Sequence, residues 1–160
     1  LLAALTLAAP VRADEFVQAD LPRHQAEVFS LDFAPAGKIL ASASKDRSII
    51  LWDVATATPS RTLKGHRSDV LRVAFRPDGK QLASAGGDGT VRVWDVETGE
   101  PVATFDKAHA NWVCGIAWSP DGKRLLSASG DKTAKIWDAA TGTVKTVFRG
   151  HTAEVWGAAW

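Results

Sequence analysis

Residues 82–96 read LASAGGDGTVRVWDV, two short runs of strand-forming residues on either side of a Gly-Asp-Gly turn at 87–89. Gly and Asp tolerate the positive φ angles of tight turns, so this tripeptide is typical of a β-hairpin. After the turn, Val91 and Val93 alternate with polar residues, which is the period of a strand with one buried face. The stretch therefore predicts a hairpin whose second strand ends in a Trp-Asp pair.

The same stretch occurs twice more, as LASASKDRSIILWDV at 40–54 and LLSASGDKTAKIWDA at 125–139. Each copy follows a segment that opens with histidine: HQAEVFSLDFAPAGK, HRSDVLRVAFRPDGK or HANWVCGIAWSPDGK. A fourth segment of this kind begins as HTAEVWGAAW at residue 151. The four histidines lie 42, 43 and 42 residues apart. A fixed period of this length indicates a repeat architecture.

Spacing within each repeat is constant, with 18 residues from His to Ser, 4 from Ser to Asp and 6 from Asp to Trp. The return from Trp to the next His takes 14, 15 and 14 residues, so one extra residue lies between Trp94 and His109. Insertions collect in loops and at edges, so this return is predicted to be a loop or an outer strand.

Each repeat contains four candidate strands, which in the second repeat are 70–75, 80–85, 90–94 and 101–105. Turn residues separate them, including Pro-Asp-Gly at 77–79. No window after the N-terminal region keeps a helical period over ten residues. The fold class expected is all-β, built from sheets of four antiparallel strands.

These repeats resemble WD repeats, in which a Gly-His pair lies near the start and a Trp-Asp pair near the end. All three Trp-Asp pairs match, and so do Gly65-His66 and Gly150-His151, whereas Arg23-His24 and Ala108-His109 keep only the histidine. The resemblance covers residues 24–160 and implies a β-propeller. The expected blades are 24–65, 66–108 and 109–150, with the first strand of a fourth blade at 151–160. Since propellers have four to eight blades, we expect an incomplete, open propeller fragment of a longer protein.

The N-terminal region indicates export. Residues 1–9 are apolar but too short to span a bilayer as a helix, and a small-x-small pattern follows at 11–13. We expect residues 1–13 to be a signal peptide with a clipped start, the alternative being a buried or frayed helix. The mature protein would then be secreted, periplasmic or lumenal, the alternative being cytoplasmic. Residues 14–23 are expected to supply the outer strand of the last blade and so latch the ring.

The WD-repeat resemblance implies that His, Ser, Asp and Trp form a hydrogen-bonded tetrad within each blade. The expected order is an Asp that accepts from His, a His that donates onward to Ser, and a Ser that reaches the indole N–H. A catalytic triad is needed only once, whereas this set occurs three times, so we expect no enzyme. The three sets are His24, Ser42, Asp46, Trp52; His66, Ser84, Asp88, Trp94; and His109, Ser127, Asp131, Trp137.

No cofactor or metal site is expected, because each histidine falls in a different repeat and Cys114 is the only cysteine. The Gly-rich run 84–87 lacks the lysine and helix of a phosphate-binding loop. A net charge of +1, from 19 basic and 18 acidic residues, gives no reason to propose nucleic acid as a partner. The same net charge gives no reason to propose a membrane as a partner, apart from the contact of the signal peptide with one.

Candidate interaction residues are polar or aromatic positions that differ between repeats. In similar propellers the third residue after the His faces the narrow top, and here it is acidic except at Trp112, whose alternative role is packing on the neighbouring turn. The residue before the turn Asp faces the same way, and Arg67 and Arg72 add charge beside Asp69. The candidates are Trp112, Glu27, Asp69, Glu154, Lys45 and Arg67, with Gly87 and Gly130 at the positions equivalent to Lys45.

Two apolar positions in each repeat, seven and nine residues after the His, are expected to pack blade against blade. They are Leu31, Val73, Ile116 and Ala158, then Phe33, Phe75, Trp118 and Trp160. Ile50 stands where the other repeats have Arg92 and Lys135, which are expected to face solvent. A partner or residues 14–23 would then cover Ile50.

The function expected is a scaffold that presents its rim to a protein or peptide. One alternative is a docking or sensor domain of a larger secreted or periplasmic enzyme. Another is a propeller that binds a small molecule in its central channel, for which Ser30, Arg72 and Asp32 are the polar candidates.

Overall fold

The computed structural model describes residues 24–160, so the expected signal peptide (1–13) and latch (14–23) lie outside the described residues. This part of the chain forms twelve strands and contains no helix, hence none long and apolar enough to cross a membrane. The strands are β1 (Val28–Phe33), β2 (Ile39–Ser44), β3 (Ser48–Asp53), β4 (Thr58–Lys64), β5 (Val70–Phe75), β6 (Gln81–Gly86), β7 (Val91–Asp95), β8 (Pro101–Phe105), β9 (Val113–Trp118), β10 (Arg124–Ser129), β11 (Ala134–Asp138) and β12 (Val144–Phe148).

The twelve strands form three sheets of four, β1–β4, β5–β8 and β9–β12, and neighbours in sequence pair antiparallel. The first strand of each sheet contacts the first strand of the next, so the sheets stack side by side. They do not close into a ring within residues 24–160. The prediction of an all-β fold with open, four-stranded blades is confirmed, and we call the sheets blades one, two and three.

Apolar side chains fill the two seams between the blades. One cluster joins blades one and two around Leu51, Phe75 and Trp94, and a second joins blades two and three around Phe105 and Trp137. The rings of Phe105 and Trp137 stack with centroids 5.5 Å apart. Burial of apolar area, worth roughly 25 cal/mol per Å², is therefore shared between successive blades, which stabilise each other.

The positions seven and nine residues after the His are buried, as predicted, in only two of the blades. Val73, Phe75, Ile116 and Trp118 are buried. Leu31 and Phe33, however, are 57% and 56% exposed, because no described sheet lies against that side of β1. Beyond β12, Ala158 is half-buried, and Trp160 is 45% exposed with the guanidinium of Arg124 4.8 Å from its ring.

Residues 151–160 do not form the predicted first strand of a fourth blade. The segment lies along β9, where the Val155 and Trp156 carbonyls are 3.2 Å from Cys114 Sγ, and the Val155 N–H donates to the Ser129 carbonyl of β10 at 3.1 Å. A strand needs a ladder of hydrogen bonds to a partner. The described residues offer no further strand of a fourth blade for this segment to pair with.

A β-bulge interrupts the first strand of every blade. In β1, Val28 pairs with Ser44 and Ser30 pairs with Ala43, which leaves Phe29 as the extra residue. Leu71 and Cys114 occupy the same place in β5 and β9. Side chains along a strand alternate between its two faces, and a bulge shifts this alternation by one residue. The side chain at the bulge therefore points away from the face shared by the residues that precede and follow it.

The Asp of each Trp-Asp pair caps the turn that follows the third strand. In blade two, Asp95 Oδ1 accepts from the Thr98 N–H at 2.8 Å and from the Thr98 hydroxyl at 3.0 Å. Asp53 and Thr56 repeat the contact in blade one, and Asp138 and Thr141 in blade three. The Asp therefore initiates the turn to the outer strand through a local side-chain bond.

The expectation that Arg92 and Lys135 face solvent is wrong, because both side chains are half-buried. Lys135 Nζ donates to the Ala108 carbonyl at 2.7 Å and lies 5.7 Å from the Trp137 ring. Long basic side chains can cover apolar surface with their stems while the charged ends find polar partners. Ile50, in the same place, is 2% exposed.

Candidate functional site

The four side chains of the second tetrad form a continuous chain through blade two. His66 Nδ1 lies 3.1 Å from Asp88 Oδ2, and His66 Nε2 lies 2.8 Å from Ser84 Oγ. The Trp94 indole N–H donates to the same Ser84 Oγ at 2.8 Å. These hydrogen bonds tie the loop before the blade to the second strand, the hairpin turn and the third strand of the blade.

The other two tetrads have nearly the same geometry. In blade one the His–Asp, His–Ser and Trp–Ser distances are 2.9, 2.7 and 2.8 Å, and in blade three they are 2.8, 2.7 and 2.8 Å. The structure thus brings together, within each blade, the four residues that the WD-repeat resemblance grouped.

In blade three the surroundings of His109 favour a His–Ser hydrogen bond in the direction opposite to the expected one. Burial lowers the pKa of His109 despite the neighbouring Asp131 carboxylate, so this imidazole is neutral at pH 7. A neutral ring whose Nδ1–H donates to Asp131 has only an acceptor at Nε2. The Ser127 hydroxyl must therefore donate to His109 Nε2 while it accepts from the Trp137 indole.

The tetrad acids are ionised. Burial opposes ionisation of Asp131, but hydrogen bonds from Thr133, His109 and the Ala110 N–H outweigh it and lower the pKa of Asp131 to about 2. The same balance holds the pKa values of Asp46 and Asp88 well below their ordinary range. The network in blade three therefore joins a carboxylate to a neutral imidazole.

A fifth residue, which carries a hydroxyl, extends each network and was missed in the sequence. In blade three, Thr133 Oγ1 donates to Asp131 Oδ1 at 2.6 Å and lies 3.2 Å from His109 Nδ1. Thr90 and Ser48 do the same in the other blades. The available signal was a Ser or Thr two residues after each tetrad Asp.

Chemistry at the tetrads is restricted by burial. Ser42, Ser84 and Ser127 are fully buried inside their sheets, so a substrate could reach the hydroxyl only by opening the blade. Across residues 24–160, no three His, Cys, Asp or Glu side chains are grouped so that they could hold a metal ion.

A groove of about 530 Å³ crosses the blades at the end where the bulges lie. Its walls combine aromatic and apolar side chains with one acid and one base. We call it the inter-blade groove, and its lining is Phe29, Ser68, Asp69, Leu71, Arg72, Gly87, Trp112, Cys114 and Trp156.

Trp112 lies on the wall of the inter-blade groove and is half-buried. Its ring covers Gly130, where a Cβ atom would come within 2.5 Å of Cε2, and the Trp156 ring lies on it with centroids 4.7 Å apart. Trp112 therefore packs on the neighbouring turn and also borders the groove, and its role in interaction stays a prediction.

The other candidate interaction residues divide between the groove and the open rim. Asp69 and Gly87 line the groove. Glu27 and Lys45 are exposed and pair with each other at 3.3 Å, outside the groove lining. Arg67 and Glu154 are exposed and do not border it either.

The groove residues that sequence reasoning missed are those at the bulges. Phe29, Leu71 and Cys114, together with Trp156, stand five residues after the His of their repeat. The available signal was a break in alternation, with apolar residues four, five, seven and nine positions after the His. Only a bulge at the fifth position allows the fourth and seventh to share a face, as Val70 and Val73 do.

Cys114 supplies the thiol of the groove, and its surroundings suppress the reactivity of that thiol. The Sγ atom lies 3.2 Å from the carbonyl oxygens of both Val155 and Trp156. Burial raises the pKa of the Cys114 thiol, which favours the unreactive protonated form. The thiol therefore ties β9 to residues 151–160.

The three candidate channel residues bind the neighbouring blade instead of an open space. The Val73 N–H donates to Ser30 Oγ at 3.3 Å, and the Phe75 N–H donates to Asp32 Oδ2 at 2.6 Å. Arg72 Nε donates to the Cys114 carbonyl at 3.1 Å. Ser30, Asp32 and Arg72 thus each join one first strand to the first strand of the next blade.

Comparison with known proteins gives matches over most of the chain. The family model described as "WD domain, G-beta repeat" matches three times, over residues 16–53, 57–95 and 99–138. Two solved structures are similar to this chain, and they are described as "Structure of U3-55K" and "Crystal structure of RRP9 WD40 repeats". Each is 30% identical to this chain in sequence and matches it with a TM-score of 0.82. Each match covers 86% of this chain and 43% of the other, so the chain spans less than half the length of these structures.

Proposed function

Because the chain belongs to the WD40-repeat family, we propose that it is a non-catalytic scaffold that binds a segment of another protein in the inter-blade groove. WD40 repeats support a role in protein–protein interaction, and the tetrads hold their serines inside the sheets. The recurrent polar residues therefore maintain the blades, and recognition is left to positions that differ between repeats.

The observation that carries this proposal is the set of aromatic rings around the groove. Phe29 is 44% exposed and Trp156 is 67% exposed, and the half-buried Trp112 contacts the Trp156 ring with centroids 4.7 Å apart. Grouped, exposed aromatic side chains are typical of binding sites, where they supply most of the binding free energy.

The chemistry of the lining indicates what kind of segment would fit. The walls are mainly apolar, so they favour one large aliphatic or aromatic side chain as an anchor. Asp69 and Arg72 supply opposite charges beside it. The Nε atom of Arg72 is used by the Cys114 carbonyl, which leaves the two terminal nitrogens of the guanidinium to hold a carbonyl oxygen of the bound peptide.

A peptide library displayed on phage and selected against the full chain would test the proposal. We expect the selected peptides to share one large apolar residue. Their affinity should fall at least about tenfold in Trp156→Ala and in Phe29→Ala. Val102→Ala is the matched control, because Val102 is an apolar residue 55% exposed on β8, outside the groove.

Two outcomes would argue against the inter-blade groove as the binding site. One is selected peptides whose affinity survives both groove substitutions. The other is equal weakening by Val102→Ala, which would indicate general surface stickiness instead of a defined site.

On the sequence alone we further propose that the protein is exported, with residues 1–13 removed, and not cytoplasmic. The support is the short apolar run at 1–9 and the small-x-small pattern at 11–13. N-terminal sequencing of the protein recovered from its native source is the test. A mature chain that begins at Asp14 is the expected result, and a chain that retains residues 1–13 would contradict it.

A further inference from the structure

A second concave site, about 620 Å³ in volume, lies beside the third tetrad. It is lined by Lys107, His109, Ala110, Asp131, Thr133, Lys135 and Arg149. We call it the Lys107 pocket. Three basic side chains and one carboxylate surround it, a composition unlike that of the inter-blade groove.

The single inserted residue of the repeats lies at this pocket. Leu63, Phe105 and Phe148 hold the same place in the outer strands, opposite the start of the third strand. From each of them to the next His there are two, three and two intervening residues, so the insertion falls within 106–108. The extra loop residue is what brings an additional side chain to the pocket.

Lys107 adopts a backbone conformation that favours glycine. Its φ is 55°, whereas the equivalent loops of the other repeats have glycine at Gly65 and Gly150, with φ of 159° and 121°. A non-glycine residue in this region is strained, so the lysine is retained at some cost in stability. Arg47, Ala57 and Lys132 share this conformation, so it is the position of Lys107 at the pocket that distinguishes it.

None of the three basic side chains of the pocket forms an ion pair with Asp131, the carboxylate in its lining. Asp131 accepts from Thr133 Oγ1 at 2.6 Å, from His109 Nδ1 at 2.8 Å and from the Ala110 N–H at 3.1 Å, so its oxygens are already occupied. Among residues 24–160, no acid lies within salt-bridge distance of Lys107, Lys135 or Arg149.

The donors of the pocket remain available. Lys135 Nζ uses one hydrogen for the Ala108 carbonyl at 2.7 Å, and an ammonium has two more to offer. In blade two the equivalent residue is Arg92, whose Nη1 atom donates to Thr104 Oγ1 at 3.4 Å. A Cβ atom on Gly65 would lie 3.0 Å from Arg92 Nη1, so this guanidinium fills the corresponding space.

We propose that the Lys107 pocket binds the phosphoryl group of a phosphorylated segment of a partner protein. Two ammonium groups and the guanidinium of Arg149, which can hold two phosphate oxygens at once, suit a compact dianion. A nucleic-acid backbone fits less well, because the chain carries a net charge of only +1 and the pocket lining has no Phe, Trp or Tyr ring on which a base could stack.

The test is calorimetric titration of the full chain with a phosphoserine pentapeptide, its unphosphorylated form and inorganic phosphate, at constant ionic strength. We expect binding of the phosphopeptide, weaker binding of inorganic phosphate and none of the unphosphorylated peptide. Lys107→Gly and Arg149→Gln should each weaken phosphopeptide binding at least about fivefold. Lys107→Gly also relieves the positive φ, so the fold is retained.

Arg47→Gly is the matched control, because it removes the same charge at a similar φ of 71° in blade one, outside the pocket. This variant should bind the phosphopeptide as the unchanged chain does. Equal weakening by Arg47→Gly would overturn the proposal, since net charge alone would then explain the binding.

Three further results would also overturn it. Inorganic phosphate bound as tightly as the phosphopeptide would identify the free ion as the ligand. Equal affinity for both peptides would exclude phosphoryl recognition. Tighter binding of a single-stranded RNA oligonucleotide, lost in Lys107→Gly and Arg149→Gln, would assign the pocket to nucleic acid.

Discussion

The indole ring of Trp112 occupies the space that a side chain at position 130 would need. A Cβ atom on Gly130 would lie 2.5 Å from Cε2 and 2.7 Å from Cζ2 of that ring. The Gly130 N–H also donates to the Trp112 carbonyl at 3.1 Å. The two other blades form the same backbone bond but with different pairs, Glu27 with Lys45 and Asp69 with Gly87. The glycine thus determines how deeply the tryptophan packs beside the inter-blade groove.

Gly130→Ala should displace the Trp112 ring and lower the free energy of unfolding by about 1–3 kcal/mol, the usual cost of overpacking. Thermal denaturation followed by tryptophan fluorescence would measure both the stability and the change around the ring. Gly157→Ala is the control, because nothing lies within 4 Å of a Cβ at that position. A variant at 130 as stable as this control would show that the ring moves aside freely.

His66→Ala should weaken folding by about 2–4 kcal/mol, because it removes the two hydrogen bonds through which the imidazole joins Ser84 to Asp88 and leaves a cavity inside blade two. The measurement is the melting midpoint of the full chain. His151→Ala makes the same chemical change at an exposed position and should have little effect. If both variants had the same melting midpoint as the unchanged chain, the tetrad would not stabilise the blade.

The Cys114 thiol should react with iodoacetamide far more slowly in the folded chain than in urea. Burial raises its pKa, and the sulfur is held against the Val155 and Trp156 carbonyls. At pH 8 we expect a difference of roughly a hundredfold or more, since only the exposed thiolate reacts. Equal rates in the two states would mean that residues 151–160 leave β9 readily.

Stability should fall as the pH decreases from about 7 to 5, partly through His109. Its pKa is lower in the folded chain than in the unfolded one, so the unfolded state binds the proton first below about 6.5. The contribution of Asp131 has the same sign but is lost at lower pH, progressively from the ordinary pKa of 3.8 down to its folded pKa of about 2. Melting midpoints measured between pH 8 and pH 4.5 would reveal the decline due to His109.

The hydrogen-bond direction in blade three can be measured separately by long-range ¹H–¹⁵N NMR of the imidazole. A proton on His109 Nδ1 and a bare Nε2 are expected at pH 7, because Nδ1 faces Asp131 and Nε2 faces the Ser127 hydroxyl. The opposite tautomer would contradict the assignment of Ser127 as donor.

Sequence reasoning located the strands well because the information is local. The run 101–105 coincides with β8, and 70–75 coincides with β5. Reasoning failed where the neighbour of a residue lies in another blade. Leu31 and Phe33 share their repeat positions with buried residues yet are exposed, because burial depends on whether a sheet lies opposite, which the repeat pattern does not state.

The spacing of His, Ser, Asp and Trp was sufficient to predict which residues meet within a blade. Antiparallel pairing through short turns places residues of known separation side by side. Which side chains meet across blades was decided only by the tertiary structure. The bulge at Phe29, Leu71 and Cys114 turns these residues into one groove, and the insertion before His109 brings Lys107 beside Arg149. Contacts of this kind depend on how whole sheets stack, and a repeat of 42 or 43 residues does not encode that arrangement in any single copy.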